Sequence, residues 1–298
     1  MQSMTSPSAG SERIDNAVTT PRASAQQQTG GPIRDARLPI PSQSAADVKD
    51  YYEEQTAAYI EGFGDVFQGS RPASTTDLLD YILKAADIND GMKVLDAGCG
   101  VCGPAIWFSQ HRDVRIESLT ISPVQVRGAR ARVAAQGLEN RITVREGDFH
   151  HLTDIYPQDS FDRVLFLETI CHASDYRQVL KQAMEVLKPG GFLYIKDFYC
   201  QDYRSRPGMI RNQLEDLKAL NRVYHLSLPD LTSTVDLICE LGFRFKYLRE
   251  PGYLAVFEPW MRFEQIAGLA WNPRLSHHDL IACMELFCQR PLDRSSPV

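Results

Sequence analysis

The chain has 298 residues, of which 43% are hydrophobic and 23% are charged, and its formal net charge at pH 7 is -6. This length can bury one substantial core without a second independent domain, and the composition is typical of a soluble globular protein. The negative charge argues against a broad nucleic-acid surface. No apolar run approaches the roughly 20 residues that span a bilayer, and the N-terminus lacks the hydrophobic core of a signal peptide. We therefore expect a cytoplasmic protein with no nucleic-acid partner and no membrane span.

Residues 1–44 are rich in Ser, Ala, Gln, Thr, Pro and Gly and carry few aliphatic side chains. Such a composition cannot bury enough apolar surface to fold, so it predicts a disordered tail. A helix is predicted over residues 46–60, ending near Gly62 and Gly64, and a second helix over residues 75–86 leads to the first core strand. Residues 45–90 are therefore assigned to an N-terminal helical cap.

The strand predicted at Val94–Ala97 runs into a glycine-rich turn and then into a helix, with Asp96 just before the turn. Glycines at positions 98, 100 and 103 let the chain turn sharply and let a ligand approach the backbone. The helix that follows presents free N–H groups to that ligand. On its own, this glycine spacing fits a dinucleotide fold about as well as another nucleoside site.

Strand and helix patterns alternate through residues 91–200, which predicts an α/β core with a parallel sheet and helices on both faces. Later strands are predicted over residues 114–119, 142–146 and 160–168, with a fifth after Pro189 and Gly190. The helix over residues 175–187 is predicted to bury five side chains at helical spacing, namely Val179, Leu180, Ala183, Met184 and Leu187.

Residues 201–298 are predicted to form a substrate cap interleaved with the last core helix and strands. Helices are predicted over residues 209–222, 231–241, 264–270 and 278–287, and a sixth strand over residues 243–248. The patterns do not place the seventh strand.

Seven cysteines, an odd number scattered along the chain, do not resemble a disulfide framework, so they are expected to be reduced. Cys99 and Cys102 have the C-x-x-C spacing of zinc and redox sites. No second ligand pair accompanies them, and they fall inside the glycine turn. We therefore expect no metal bound by these residues.

The glycine turn in its Asp-Ala-Gly-Cys-Gly form resembles the first motif of class I S-adenosylmethionine (SAM) methyltransferases, which have a Rossmann-like sheet. Gly147-Asp148-Phe149 after the third strand and the Lys188-Pro189-Gly190-Gly191 stop agree with this resemblance. It implies that Asp96 contacts the methionine part of SAM and that Asp148 lies near the adenine amino group. The full set of expected cofactor contacts is Asp96, Gly98, Cys99, Gly100, Thr120, Ile121, Ser122, Gln125, Asp148, Phe149 and Leu167.

The second strand departs from the commonest methyltransferase pattern. It ends at Thr120-Ile121-Ser122-Pro123, where many relatives carry an acidic residue for the ribose hydroxyls. Thr120, Ser122 and Gln125 are expected to supply neutral hydrogen bonds there. This variant resembles the branch that methylates sterols, tocopherols, lipid alkenes and related small molecules.

The string Glu168-Thr169-Ile170-Cys171-His172-Ala173 resembles a motif of sterol C24-methyltransferases, as does the aromatic-rich region from Tyr51 to Phe67. That resemblance implies attack of an alkene on the SAM methyl group, giving a carbocation that then loses a proton. Glu168 and His172 are the expected catalytic residues. Aromatic rings stabilise such a cation by roughly 0.5 to 2 kcal/mol each when water is excluded. The candidate walls of the pocket are Tyr51, Tyr52, Tyr59, Phe63, Phe198 and Tyr224.

Basic residues after the fifth strand raise the question of an anionic acceptor. Arg211, Arg222 and His225 are candidates to grip a diphosphate, and the chain would then resemble bacterial geranyl or farnesyl diphosphate C-methyltransferases. The acceptor would be an isoprenoid methylated at its distal double bond. Mg²⁺ could bridge the diphosphate, although the sequence has no aspartate-rich motif that would indicate Mg²⁺ binding.

Other interpretations stay open at this point. The charged stripe of the 209–222 helix also fits a solvated face, and O- or N-methylation of a natural product would use Glu168 or His172 as a base. A sterol acceptor and a SAM-binding protein without catalysis are further alternatives. Apolar surface on the cap is also compatible with a homo-oligomer.

Overall fold

A computed structural model describes residues 43–200, 210–269 and 281–293. The predicted tail therefore lies outside the described residues except for positions 43 and 44. Residues 201–209 and 270–280 of the predicted cap lie outside them as well. Within the described ranges, no helix is both long and apolar enough to cross a membrane.

A seven-stranded mixed sheet forms the centre of the fold, with the strand order β3-β2-β1-β4-β5-β7-β6. Strands β1 to β5 run parallel to one another, and β7 runs antiparallel to both β5 and β6. This is the predicted Rossmann-like α/β class. The strands are β1 (Lys93–Ala97), β2 (Arg115–Thr120), β3 (Ile142–Glu146), β4 (Phe161–Leu167), β5 (Leu187–Cys200), β6 (Arg244–Arg249) and β7 (Ile281–Gln289).

Helices cover both faces of this sheet, because apolar residues at helical spacing give each helix a buried stripe. Leu78 and Phe108 pack on one face, while Leu180 and Ile238 pack on the other. The described helices are α1 (Ala45–Phe63), α2 (Thr75–Ala85), α3 (Gly103–His111), α4 (Pro123–Ala135), α5 (Leu152–Ile155), α6 (Tyr176–Val186), α7 (Ile210–Val223), α8 (Leu231–Glu240) and α9 (Glu258–Ala267).

Helix α6 shows how the sequence sets a helix. Asp175 caps its N-terminus by accepting a 3.0 Å hydrogen bond from the Gln178 amide. Of the residues predicted to be buried in and beside this helix, all are buried except Met184, which is partly exposed.

The prediction of a helix over residues 278–287 is wrong for residues 281–287, and residues 278–280 lie outside the described ones. Residues 281–289 form β7, which pairs with β5 from Phe192 opposite Gln289 to Cys200 opposite Ile281. A short apolar run has no periodicity that separates a buried helix from a buried strand, and here the pairing with β5 decides. The predicted helix over residues 264–270 also begins earlier, at Glu258.

The segment between α1 and α2, residues 64–74, is called the strap below. It lies directly on the glycine turn: an ideal Cβ added at Gly103 would be 2.1 Å from the backbone oxygen of Asp65. Only glycine allows this approach. The third glycine of the turn therefore serves the contact with the strap.

Candidate active site

The first cavity lies where β1, β2 and β4 end, at the carboxyl edge of the sheet, the usual ligand position in open α/β folds. It encloses about 840 Å³, part of which is open to solvent. Its wall includes most of the predicted cofactor contacts, together with both predicted catalytic residues. From α1 it takes the stripe Ala45, Val48 and Tyr52, and from the strap it takes Asp65, Phe67 and Gln68.

The glycine turn forms the floor of the first cavity. Gly98 has a φ of +102° and Gly100 a φ of +52°, values that side chains rarely adopt. The amides of Gly98 and Cys99 donate to the Leu119 carbonyl at 2.8 and 2.9 Å, which ties the turn to the end of β2. A Cβ at Gly98 would collide with Thr169 at 2.6 Å, so the turn is also held by the loop after β4.

Asp96 presents an unsatisfied carboxylate oxygen to this cavity. The residue is 2% exposed, and its Oδ2 has no hydrogen-bond partner among the described residues. Burial raises the pKa of Asp96 to about 7. A buried acceptor of this kind calls for a positively charged donor, and the ammonium group of SAM fits that requirement.

The end of β2 carries neutral hydrogen-bonding groups. Thr120 Oγ1 donates to Gln125 Oε1 at 2.5 Å, and both residues line the cavity together with Ile121. Ser122 is buried outside the cavity wall, and its Oγ accepts from the Gln125 amide at 3.3 Å as the N-cap of α4. Ser122 was predicted to contact the cofactor, but in the structure its side chain caps α4 and does not line the cavity.

Asp148 lines the opposite end of the cavity beside Phe149. Its Oδ1 accepts from the amide of His150 at 2.8 Å and from His150 Nδ1 at 2.6 Å. Burial works to raise the pKa of Asp148, but the two hydrogen bonds from His150 outweigh it, so the pKa is lowered. An ionised acceptor at this point suits the amino group of an adenine.

His172 and Tyr52 form a hydrogen-bonded pair on the cavity wall. Tyr52 Oη lies 2.8 Å from His172 Nε2, and His172 Nδ1 lies 2.9 Å from the backbone oxygen of His225. Because that carbonyl only accepts, Nδ1 carries the proton and Tyr52 donates to Nε2. Burial lowers the pKa of His172 to about 4, so the ring is neutral at pH 7.

Glu168 follows β4 with a φ of +57° and is 8% exposed. Its Oε1 pairs with the ammonium of Lys196 and accepts from the Ser70 amide at 3.1 Å, while Oε2 accepts from the Gly69 amide at 2.6 Å. Burial alone would lower the pKa of Lys196, but Glu168 outweighs it and the pKa is raised. Both carboxylate oxygens of the predicted catalytic residue are thus engaged with Lys196 and the strap.

The predicted aromatic walls divide into two groups. Tyr52 lines the first cavity and Phe198 lines a second one, described next. Tyr51, Tyr59 and Phe63 line neither cavity: Tyr51 and Tyr59 share a 3.1 Å hydrogen bond, and Tyr59 stacks on Phe263 with ring centroids 4.1 Å apart. Tyr224 is buried near them, with its hydroxyl donating to Glu264. These four residues pack the α1–α7–α9 core.

A second cavity of about 1100 Å³ lies beyond the strap. Its wall combines the ends of β5 and β7, helices α7 and α9, and the loop before α9. The lining residues are Gly69, Ser70, Phe198, Leu220, Leu226, Glu250, Pro251, Tyr253, Ala255, Phe257, Trp260, Ile281, Ala282 and Cys283.

Arg222 and His225, two of the residues predicted to grip a diphosphate, line neither cavity. Arg222 is exposed, Lys218 on the same helix pairs with Glu215 at 2.9 Å, and the side chain of Arg211 lies outside the described ones. His225 is partly buried and stacks on Tyr51 with ring centroids 4.8 Å apart. The diphosphate grip stays a prediction.

Sequence reasoning missed Lys196 and Gln68, and it named Phe67 only as part of the aromatic-rich region. Lys196 lies in the strand Phe192–Phe198, which is apolar apart from Lys196 and Asp197, and this was a signal because a buried lysine needs an anionic partner. Among the described residues, no group of three or more His, Cys, Asp or Glu side chains could hold a metal ion. Cys99 and Cys102 are buried free thiols.

Comparison with known proteins agrees with this geometry. Residues 95–195 match the methyltransferase domain family. The chain is 35% identical over 161 residues to methyltransferase GfsG of Streptomyces halstedii, covering 51% of this chain and 57% of the relative. It is 32% identical over 161 residues to the sterol 24-C-methyltransferase of Aspergillus fumigatus, covering 52% and 42%. The chain thus spans about half the length of the curated relatives it matches.

Solved structures share the fold. The [4+2]-cyclase SpnF superposes with a TM-score of 0.68 at 18% identity, covering 85% of this chain and 98% of that one. Geranyl diphosphate C-methyltransferase from Streptomyces coelicolor A3(2) superposes with a TM-score of 0.64 at 11% identity, again covering 85% and 98%. Residues 95–195 therefore match a methyltransferase domain, in a chain that has the fold of class I SAM methyltransferases and resembles the sterol and prenyl diphosphate C-methyltransferases.

Proposed function

We propose that this protein is a SAM-dependent C-methyltransferase that methylates an alkene carbon of an isoprenoid. The observation that carries the proposal is the first cavity itself. The Asp96 oxygen that has no partner among the described residues fits the SAM ammonium, and Tyr52 and His172, which line the same cavity, offer an aromatic ring and a proton acceptor. The relative named as a sterol 24-C-methyltransferase supports alkene chemistry, since its name describes methylation at carbon.

The proposed reaction needs an electrophile, a shielded cation and a base. When bound, SAM supplies the methyl group: the alkene π electrons form the new carbon–carbon bond, and the sulfonium leaves as the neutral thioether of S-adenosylhomocysteine. The ring of Tyr52 faces the cavity and favours a neighbouring positive charge. The cation then loses a proton to the Tyr52 oxygen as the tyrosine's own proton passes to His172 Nε2, which leaves a neutral alkene and an imidazolium.

His172 suits a proton acceptor of this kind because a carbocation is a far stronger acid than an imidazolium. A pKa of about 4 keeps Nε2 unprotonated at pH 7, so it is ready to accept. In this proposal Glu168 acts by holding the strap through Gly69 and Ser70, and its negative charge is balanced by Lys196.

A prenyl diphosphate such as geranyl diphosphate, methylated at the distal double bond, is the acceptor that we propose. Two neighbours solved with geranyl diphosphate have the same fold as this chain, which supports testing that substrate first. One of them contains Mg²⁺, so any requirement for that ion here would come with the diphosphate head of the acceptor.

O-methylation is the second candidate, favoured by a relative named as 27-O-demethylrifamycin SV methyltransferase that is 34% identical over 137 residues. A hydroxyl acceptor would take the place of the Tyr52 hydroxyl on His172 Nε2. The lowered pKa of His172 makes it a weak base for a hydroxyl group, which argues for alkene chemistry.

The test is incubation of the full chain with SAM and, separately, geranyl diphosphate, farnesyl diphosphate, a Δ24-sterol and 27-O-demethylrifamycin SV, with product mass and S-adenosylhomocysteine followed together. A mass gain of one methylene unit on an isoprenoid supports the proposal. Turnover of 27-O-demethylrifamycin SV alone would replace it with O-methylation.

A further inference from the structure

The described wall of the second cavity suits an uncharged molecule. Aromatic and aliphatic side chains dominate this wall, and Glu250 is the one charged residue among its described lining residues. Its volume of about 1100 Å³, part of which is open to solvent, is enough for a small-molecule ligand. The acid of Glu250 would repel a diphosphate, so the described part of the wall favours an apolar group.

The backbone of residues 68–70 forms the wall between the two cavities. Gln68 lines the first cavity, whereas Gly69 and Ser70 line the second. A Cβ on Gly69 would be 2.7 Å from the ring of Trp260, so this part of the strap lies against the aromatic wall of the second cavity. The two cavities are thus separated at this point by the main chain of the strap.

Lys196 and Glu168 hold residues 68–70 in place through hydrogen bonds. The ammonium of Lys196 donates to Gln68 Oε1 at 2.9 Å and to the Ser70 carbonyl at 2.7 Å, besides pairing with Glu168. Glu168 in turn accepts the amides of Gly69 and Ser70. The three ammonium protons and both carboxylate oxygens are therefore used on residues 68–70 and on each other.

We infer that the second cavity receives the apolar tail of the acceptor, and that residues 68–70, fastened by Lys196 and Glu168, are the gate that moves to bring that tail against the cofactor. This inference rests on the proposed function, which it deepens by naming where the acceptor binds. It also implies that any charged head of the acceptor lies outside the second cavity.

The wild-type chain provides a direct test through two of its own cysteines. Cys283 lines the second cavity and is partly exposed, while Cys239 on α8 is exposed and lies outside it. Burial raises the pKa of Cys283 to about 12, so its reaction with N-ethylmaleimide is slow and is followed over hours by peptide mass spectrometry. Saturating farnesol should slow labelling of Cys283 at least fivefold and leave Cys239 unchanged. Equal rates at Cys283 with and without farnesol would overturn the inference.

A matched pair of variants tests the same site by binding. Ala255 lines the second cavity, whereas its neighbour Leu254 is 89% exposed and does not. Ala255→Trp should fill the cavity and weaken farnesol binding at least tenfold, measured by equilibrium dialysis with S-adenosylhomocysteine present, while Leu254→Trp changes it less than twofold. Both variants should bind S-adenosylhomocysteine as the wild type does. Unchanged farnesol affinity in Ala255→Trp would contradict the inference.

Hydrogen exchange tests the role of Lys196 in holding the gate. Lys196→Met should speed hydrogen exchange of the peptide spanning residues 64–74 at least tenfold and leave the peptide spanning α6 unchanged. No change in the peptide of residues 64–74 would remove the fastening role of Lys196.

Failure of the inference is separable from failure of the proposed function. Methyl transfer to an isoprenoid without protection of Cys283 refutes only the site, and protection without any methyl transfer refutes only the function.

Discussion

Tyr52 and His172, which are 120 residues apart in the chain, meet on the wall of the first cavity with Tyr52 Oη 2.8 Å from His172 Nε2. The contact joins α1 to the turn that follows β4. Since His172 Nδ1 is occupied by the His225 carbonyl, the tautomer is fixed and Nε2 can only accept. The pair therefore provides one proton acceptor in a defined orientation.

Replacing Tyr52 by Phe should lower kcat by about 10²-fold, because general base assistance contributes about 10²- to 10⁴-fold and the hydroxyl connects the substrate to His172. The KM for SAM should change little. Tyr51→Phe is the matched control: it removes a hydroxyl one residue away that bonds to Tyr59 outside the cavity. Steady-state kinetics in which both variants lose the same activity would remove the Tyr52–His172 pair from the mechanism.

The affinity for SAM should depend on the ionisation of Asp96. Burial raises its pKa to about 7, and only the ionised carboxylate balances the ammonium of SAM. Calorimetric titration from about pH 5.5 to about pH 8.5 should show affinity rising up to tenfold per pH unit and levelling off above about pH 7. Asp96→Asn should bind weakly without this dependence. An Asn variant with the wild-type profile would assign the ionisation to another group.

The same pKa shift predicts an effect on stability in the absence of SAM. A carboxyl whose pKa is raised on folding binds more protons in the folded state, so its contribution to stability is lost as pH rises from about 4 to about 7, by up to about 1.4 kcal/mol per unit. Asp96→Asn escapes this loss, and we expect it to be more stable than the wild type at about pH 8. Urea denaturation at two pH values measures the difference; an equal loss in both proteins would be evidence against it.

Lys196 and Glu168 should be strongly coupled in stability. Removing one partner of a buried ion pair leaves an uncompensated charge, which costs about 3–5 kcal/mol, so Lys196→Met and Glu168→Gln should each lower the free energy of unfolding markedly. The double variant should lose less than the sum of the two single losses, by at least about 1 kcal/mol. Additive losses in a denaturation cycle would mean that the two residues act independently.

Gly103→Ala should disturb the strap, since its Cβ would be 2.1 Å from the Asp65 carbonyl oxygen. We expect a loss of more than about 2 kcal/mol in the free energy of unfolding and weaker SAM binding. Gly128→Ala is the control: this glycine lies within α4, and the nearest atom to its Cβ would be the mobile end of Arg132 at 3.3 Å. Alanine there should stabilise by up to about 1 kcal/mol. A Gly103 variant as stable as the wild type would argue against the close strap contact.

Local pattern predicted the central sheet well. The bounds of β3 were predicted as observed, and the sequence neighbours of Asp96 were sufficient to place it at the cavity, because the strand and its glycine turn are adjacent in the chain. Pattern failed where partners come from far along the chain. Residues 281–289 became a strand only through pairing with β5, and Lys196 acquires its role from Gln68 and Glu168, 128 and 28 residues away.

The tyrosines of α1 show a second limit. Their composition predicts an aromatic wall, but not which of them faces the ligand. Helical geometry puts Val48, Tyr52 and Tyr59 on one stripe, so the spacing does not tell which tyrosine faces the cavity. Phe263 of α9 packs against Tyr59 and Phe63 and makes them part of the core. Only the packing of α9, which is distant in sequence, settles this choice.

The most direct test of alkene C-methylation is to follow the transferred methyl group itself. Full-length protein is incubated with geranyl diphosphate and SAM labelled with ¹³C in the methyl group, and the product is examined by carbon NMR. The account predicts a new methyl signal coupled to a carbon of the isoprenoid chain, with one equivalent of S-adenosylhomocysteine formed. A methyl signal attached to oxygen or nitrogen, or S-adenosylhomocysteine without a labelled carbon–carbon bond, would contradict it.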